Sequence, residues 1–271
     1  MSYSQKISKM TWSFSRLSTY ENCPYEFYLN YLLSDEENYP PENNFYAEQG
    51  SFVHKILQKI LSGELSENNA AEYYYDNYDY NVLEAVSKSL MDKSYDACLE
   101  YFSEVRFAAL KDYEILGVEL ESNIKIGKYK FIGYIDLLLK NKKTGDIIIL
   151  DHKSSSYPLS QKGTVKSNCK DKFENYRKQL YIYAKFVYEK YGKYPKYLAW
   201  NHFKDGGKIA KIDFDKSEYD DTLKWCIDTI HKIENDETFD ANFKYFYCKN
   251  LCSFRNSCEY AEEGVSNEQQ A

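Results

Sequence analysis

The sequence predicts an α/β fold: a mixed β-sheet core flanked by helices, with a helical annex and a C-terminal cysteine cluster. Three observations carry this. Ile135, Leu137, Leu138 and Leu139 form one apolar run around Asp136, and Ile147 to Leu150 form a second. The intervening Asn141-Lys142-Lys143-Thr144-Gly145 is a turn signal, so the runs read as a hairpin whose second strand is covered on both faces. Tyr176, Leu180, Tyr183, Phe186 and Val187 recur at helical intervals within Phe173 to Tyr191. That helix leads into the apolar stretch Tyr197 to Phe203, a strand–helix–strand crossover.

In chain order, Met1 to Trp12 reads as a flexible lead-in. Ser13 or Ser15 can cap a helix from about Arg16, and Cys23-Pro24 interrupts it, because proline cannot continue a helical hydrogen-bond ladder but can open a new turn. Ser34 to Asn44, acidic and carrying Pro40-Pro41, reads as a loop. A helix is expected from about Gly50 to Leu61, with Phe52, Val53, Ile56, Leu57 and Ile60 as its apolar stripe. Glu64 to Asn81 is acidic and tyrosine-rich, a solvated loop or insertion, and Val82 to Tyr113 has helical spacing. Together, residues of about 62–115 form the annex. From Gly117 the period switches towards two, giving antiparallel strands joined near Gly127. Lys208 to Phe214 adds an edge strand and Ser217 to Asn235 a last long helix, whose Cys226 and His231 belong to packing and surface. The whole reads as one unit over 1–258, its segment 236–258 carrying the cysteines, with an acidic, disordered tail at 259–271.

Composition sets limits. Hydrophobic content of 43% and aromatic content of 17% describe a folded chain. A net charge of −7 excludes a protein that coats nucleic acid by bulk charge, so any such contact uses a local patch. No apolar run approaches the roughly 20 residues of a membrane span, and the N-terminus is polar. A cytoplasmic setting follows (host cytoplasm if the chain comes from a phage), in which cysteines are thiols or metal ligands.

The chemistry converges on the end of the hairpin. Side chains alternate across a strand, so Asp151 and Lys153 share one face and His152 takes the other. If the two runs pair, Asp136 lies beside Asp151. Two carboxylates and an ammonium on one patch suit phosphodiester hydrolysis with Mg²⁺ or Mn²⁺, since hard cations take oxygen ligands. Lys153 can orient or deprotonate water, or offset charge on the scissile phosphate. The plain alternative is a surface hairpin with an incidental Asp-x-Lys.

The pattern Asp136…Asp151-x-Lys153 resembles the core motif of the PD-(D/E)XK nuclease superfamily. Gly133-Tyr134-Ile135-Asp136 and Leu150-Asp151-His152-Lys153-Ser154-Ser155 resemble its RecB-type branch. The resemblance implies a restriction-endonuclease-like core and a metal-dependent DNA exonuclease acting in end processing, recombination, repair or replication. Alternatives are a structure-specific endonuclease and a non-catalytic DNA-binding subunit of a helicase–nuclease complex. No Walker A motif is present, so any helicase is a separate partner. Gly50-x-x-x-His54 is similar to the family motif whose histidine is a further metal ligand. The resemblance assigns the metal to Asp136 and Asp151, aided by His54 and the backbone carbonyl of His152. Tyr176-x-x-Gln179-x-x-x-Tyr183 resembles the motif that positions the strand and the lysine. Glu119 is either the family's upstream carboxylate or a salt-bridging strand glutamate. Lys162, Lys166, Lys170 and Lys172 are either a solvated loop or phosphate contacts.

Cys248-x3-Cys252-x5-Cys258 needs a fourth ligand, and Cys23 is the candidate. One early and three late cysteines resemble the iron–sulfur nucleases of the RecB branch, among them CRISPR adaptation exonucleases and the AddB nuclease domain, which implies a [4Fe–4S] cluster. The usual late spacing is Cys-x2-Cys-x5-Cys, and the additional residue here keeps a structural four-cysteine Zn²⁺ site and unligated thiols open.

Overall fold

The structure, a computed structural model, describes residues 3–33, 38–42, 45–79, 86–104 and 107–261. The acidic tail from Glu262, the helix start at Val82 and Leu83, and much of the loop between Ser34 and Asn44 lie outside the described residues.

A five-stranded sheet runs in the order β1-β2-β3-β4-β5. Its strands are β1 (Tyr113–Ile126), β2 (Tyr129–Asn141), β3 (Ile147–Lys153), β4 (Tyr197–His202) and β5 (Lys208–Asp213). All neighbours are antiparallel except β3 and β4, which are parallel. A parallel pair needs a crossover, and helix α7 (Lys170–Tyr191) supplies it, ending at Gly192 in the left-handed conformation. The sheet is therefore mixed and helix-flanked, as the sequence predicts.

The apolar residues sort by face. Ile147 and Ile149 of β3, Leu138 of β2 and Trp200 of β4 enter the main core with Leu180, Ala184 and Val187 of α7 and with α8 (Lys216–Asn235). Leu137, Leu139, Ile148 and Ala199 line the opposite face. The alternation holds along β3 but breaks in β2, where Ile135 joins the main core together with Leu138. The break at Ile135–Asp136 faces Glu119 on β1, whose φ is 47°. Here the long β1–β2 hairpin turns over, a short way from the bulge between Ile115 and Gly117, and its acidic residues stand at the corner.

The annex has its own core, built from α4 (Phe45–Leu61), α5 (Ala70–Asn77), α6 (Lys88–Glu104) and Phe203. Helix α4 begins five residues before the expected start. Two expectations are corrected. The stretch Glu64 to Asn81 is not a loop throughout: Glu67–Asn69 form a 3-10 turn and α5 follows, burying Ala70 and Tyr74. The acidic and tyrosine-rich composition hid a helix with one small apolar face. The lead-in Met1 to Trp12 is also not flexible over its described part. It holds a short helix, α1 (Tyr3–Ser8), and Trp12 is fully buried, bridging to Phe131 of β2. A buried indole outweighs the ordering cost of such a short segment.

Helix α2 (Phe14–Asn22) starts at Ser13, whose hydroxyl accepts the Arg16 N–H, and ends at Cys23. Pro24 opens α3 (Pro24–Phe27), which runs into a π-helical turn at Tyr28–Leu33. No helix among the described residues is long and apolar enough to cross a membrane.

Candidate active site and cysteine cleft

The registers Leu137↔Leu150 and Val118↔Leu137 place Asp136, Asp151 and Glu119 side by side on three adjacent strands, where the pairing of β2 with β3 stops. The buried Asp136 accepts the His152 backbone N–H through Oδ2 at 2.7 Å. From α4, His54 reaches the same peptide, its Nε2 lying 2.9 Å from the His152 carbonyl oxygen. A carbonyl only accepts, so Nε2 carries the proton. Nδ1 then faces the carboxylates, 3.4 Å from Asp136 Oδ2 and 3.9 Å from Glu119 Oε1. Among the described residues, His54, Glu119 and Asp136 offer metal-ligating atoms that all lie within 4.8 Å of one another.

Asp151 lies beside this trio and binds Lys153, with Nζ 2.7 Å from Oδ2. The lysine is held from above by α7: its ammonium donates to Gln179 Oε1 at 3.0 Å and sits 4.6 Å from the Tyr176 ring centre. Gln179 in turn donates to the Tyr183 hydroxyl at 3.3 Å. Tyr183 packs on Gly133, where a Cβ would stand 2.5 Å from its Cε1. Glycine is required there for the close approach of helix and strand.

Burial and the neighbouring Asp151 charge push the Asp136 carboxyl up to about 7, despite His54, the His152 N–H and Lys153. Burial disfavours the His54 cation, but Glu119, Asp136 and Asp151 outweigh it and raise its pKa. Burial likewise opposes the Lys153 cation, and Asp151 more than restores it, so the lysine stays an ammonium. The corner is a desolvated cluster of negative charge that a divalent cation would neutralise.

His152 points to the other face, as alternation requires. Its Nδ1 lies 2.9 Å from the Asn201 amide nitrogen, which also donates to Tyr101. Burial drives its pKa well down, so the ring is neutral.

A model of the PD-(D/E)XK nuclease superfamily matches residues 11–259. The chain belongs to this superfamily. Thirty solved chains match its fold. One is the crystal structure of a protein from Eubacterium rectale described as "Putative exonuclease", with a TM-score of 0.52 and 12% identity. The match covers 96% of this chain and 90% of that one. At that identity the likeness speaks for the fold alone. No curated protein matches the sequence. Members of the PD-(D/E)XK superfamily are nucleases that use divalent metals on DNA, and the acidic corner has the donor chemistry for one.

The motif residues of this PD-(D/E)XK chain thus come together: Asp136, Asp151, Lys153, His54, Gln179 and Tyr183 share one corner. The His152 carbonyl is there too, engaged by His54. The four lysines do not form one group. Lys162 is exposed in a turn, Lys166 donates to the Tyr157 carbonyl at 2.7 Å, and Lys170 and Lys172 start α7. The sequence leaves one contributor undecided: Glu119 lies in an ordinary alternating strand, and only its backbone turn brings it in. Tyr176 is part of the motif with Gln179 and Tyr183, and its ring is where the lysine sits.

Cys23, Cys248, Cys252 and Cys258 line a second, small cleft between α3 and α9 (Tyr245–Asn250). Backbone N–H groups of Asn242, Lys244 and Phe254 each point at a sulfur at 3.4 Å, those of Cys23, Cys248 and Cys252. No three of these sulfurs lie within 4.8 Å of one another. The remaining cysteines of the described core, Cys98 and Cys226, are buried in packing, as expected.

Proposed function

We propose that this chain is a Mg²⁺- or Mn²⁺-dependent deoxyribonuclease that degrades DNA from an end. The carrying observation is the His54–Glu119–Asp136 corner set against the Asp151–Lys153 ion pair. His54, Glu119 and Asp136, with Asp151 beside them, would hold the cation, whose hard oxygen-rich donor set suits Mg²⁺ or Mn²⁺. When bound, such a cation supplies Lewis-acid charge at a phosphoryl oxygen and acidifies water.

The protein's own groups do the rest. The His152 peptide is the brace, its N–H fixing Asp136 and its C=O fixing His54. Lys153, kept charged by Asp151, presents N–H donors to the water or to the scissile phosphate. Tyr176, Gln179 and Tyr183 hold that ammonium against the strand. The exonuclease reading draws support from the description of the Eubacterium rectale neighbour.

The cysteine cleft is assigned to a [4Fe–4S] cluster, held by Cys23, Cys248, Cys252 and Cys258. Its supports are the four-cysteine donor set brought into one cleft and the N–H groups aimed at three sulfurs. When bound, the cluster supplies a structural staple between the two chain ends. Visible absorbance and iron analysis of freshly purified protein test this, and stoichiometric zinc without iron would refute it.

The activity test uses end-labelled single- and double-stranded DNA with Mn²⁺ or EDTA. Release of label that needs metal and vanishes in Asp136→Ala is expected, and circular DNA should survive. Intact substrates with iron-loaded wild type would sink the proposal.

A further inference from the structure

A further cleft, of about 500 Å³, opens beside the group that braces the catalytic lysine. Gly133, Gln179 and Tyr183 form its inner wall, and Arg16, Tyr31 and Tyr134 its outer one. The inner wall belongs to the corner: Gln179 Oε1 holds the Lys153 ammonium at 3.0 Å, and Tyr134 lies two residues before Asp136 on β2. Among the described residues no carboxylate lines this cleft. In a chain with 42 acidic residues that sets it apart, since Glu100, Glu26, Glu48 and Glu21 each line one of four other clefts.

Arg16 supplies the cation of the cleft. Its Nη1 donates to the Thr11 carbonyl, its guanidinium rests 5.1 Å from the centre of the Tyr31 ring, and among the described residues it forms no ion pair. Tyr134 supplies an open ring. It is 50% exposed, and its hydroxyl donates at 3.4 Å to Glu121, the residue opposite it on β1, which tethers the ring by its tip and leaves its faces uncovered. A phosphate is repelled by carboxylates and is met in fixed geometry by a guanidinium without an acidic partner. A ring beside that cation offers a platform on which any base can stack. Bases inside a duplex have both faces hidden in the stack, so only a single strand can use it. We propose that this cleft takes a single DNA strand, one base stacked on Tyr134 and the adjoining phosphate on Arg16, and leads that strand past Gln179 to Lys153. The proposal rests on the nuclease reading and narrows its substrate to single strands.

Binding of a fluorescein-labelled oligothymidylate is measured in EDTA over a range of salt, beside a blunt duplex of the same length. The strand should bind at least about tenfold more tightly than the duplex, and Tyr134→Leu should weaken it by about tenfold at an unchanged salt slope. Tyr134→Phe keeps the ring and should bind like wild type, as should Tyr75→Leu at an exposed ring of the annex. Each phosphate neutralised on a single strand contributes about 0.7 to the slope of log affinity against log salt, so Arg16→Gln should lower the slope by about 0.7 and Arg16→Lys should keep it. Wild-type affinity in Tyr134→Leu, equal losses in Tyr134→Leu and Tyr134→Phe, an unchanged slope in Arg16→Gln, or a duplex bound as tightly as the strand would each overturn the proposal. Cleavage with Mn²⁺ is scored separately. A strand that is cut while Tyr134→Leu binds it like wild type defeats this cleft alone, whereas a strand bound through Tyr134 and Arg16 but left uncut by wild type defeats the nuclease reading alone.

Discussion

Two regions of the molecule use backbone strain in opposite ways. Among the described residues, the non-glycine positions with positive φ are Glu119 at 47° and Phe239 at 50°. Glu119 belongs to the acidic corner, and its turned backbone brings a carboxylate to His54. Phe239 leads into the cysteine segment, and its turned backbone buries a ring against Phe27, Tyr28 and Tyr20. Its N–H is held by Asp236, which also accepts from Tyr20. In the corner, strain gathers like charges that repel until a cation joins them. At the cleft, strain is covered by packing, and the four cysteines come from distant parts of the chain. The corner should therefore be most stable when its negative charge is reduced, and the cleft least stable when its cysteines are replaced.

The sharpest break of that contrast compares Asp136→Ala and Lys153→Ala with Cys252→Ser. The two corner variants should lose cleavage by about 10³-fold or more. In EDTA, Asp136→Ala should melt near or above wild type, whereas Lys153→Ala should melt lower, because it leaves the Asp151 carboxylate buried without its partner. Cys252→Ser should lose visible absorbance and about 3 kcal/mol of stability, roughly 6–12 °C in melting temperature. An Asp136→Ala that unfolds, or a cysteine variant that melts like wild type, would erase the distinction.

The next effect is electrostatic. The folded pKa of Asp136, about 7, lies above its ordinary 3.8. A raised pKa gives a contribution fully present below about pH 4 that is lost as pH rises through 7. Metal-free wild type should therefore lose this stability between about pH 4 and 7, and Asp136→Asn should not. At pH 8 in EDTA the variant should be more stable by on the order of 2 kcal/mol by denaturant titration. Mn²⁺ should reverse the ranking, because only the carboxylate ligates. A less stable Asp136→Asn at pH 8 would mean the carboxylates do not repel.

A purely steric test follows at the seam between β2 and α7. Gly133→Ala puts a methyl where Tyr183 already stands, with backbone on one side and a packed ring on the other. The expected cost is about 1–2 kcal/mol, with reduced cleavage as Tyr183 and Gln179 withdraw from Lys153. Wild-type stability and rate would mean the helix simply shifts.

How much of this was legible depends on whether meaning lay in periodicity or in backbone. The β2–β3 hairpin, the α7 crossover and the edge strand announce themselves through apolar spacing, and with the hairpin Asp136, Asp151 and Lys153, whereas Gln179 and Tyr183 were read through their likeness to the family motif. His54 was readable as a ligand only through the likeness of Gly50-x-x-x-His54 to the family motif, since its helix stripe by itself points to an ordinary histidine. Helix α5 was not, because only Ala70 and Tyr74 are buried and acids and tyrosines cover the rest. Trp12 was not, since one anchoring residue leaves no period. Glu119 was ambiguous for a physical reason: a left-handed residue reverses the face that alternation assigns.

That reversal gives the smallest and cleanest comparison. A left-handed conformation costs an L-residue about 1–2 kcal/mol, and glycine avoids it at the expense of some extra unfolded-state entropy. Glu119→Ala removes the carboxylate and keeps the strain, whereas Glu119→Gly removes both. Both should weaken Mn²⁺ binding alike, since both lack the ligand. In EDTA, Glu119→Gly should be the more stable of the two by about 0.5–1 kcal/mol. Equal stabilities would show that the turn at the corner is relaxed, and that the carboxylate reaches His54 without stored strain.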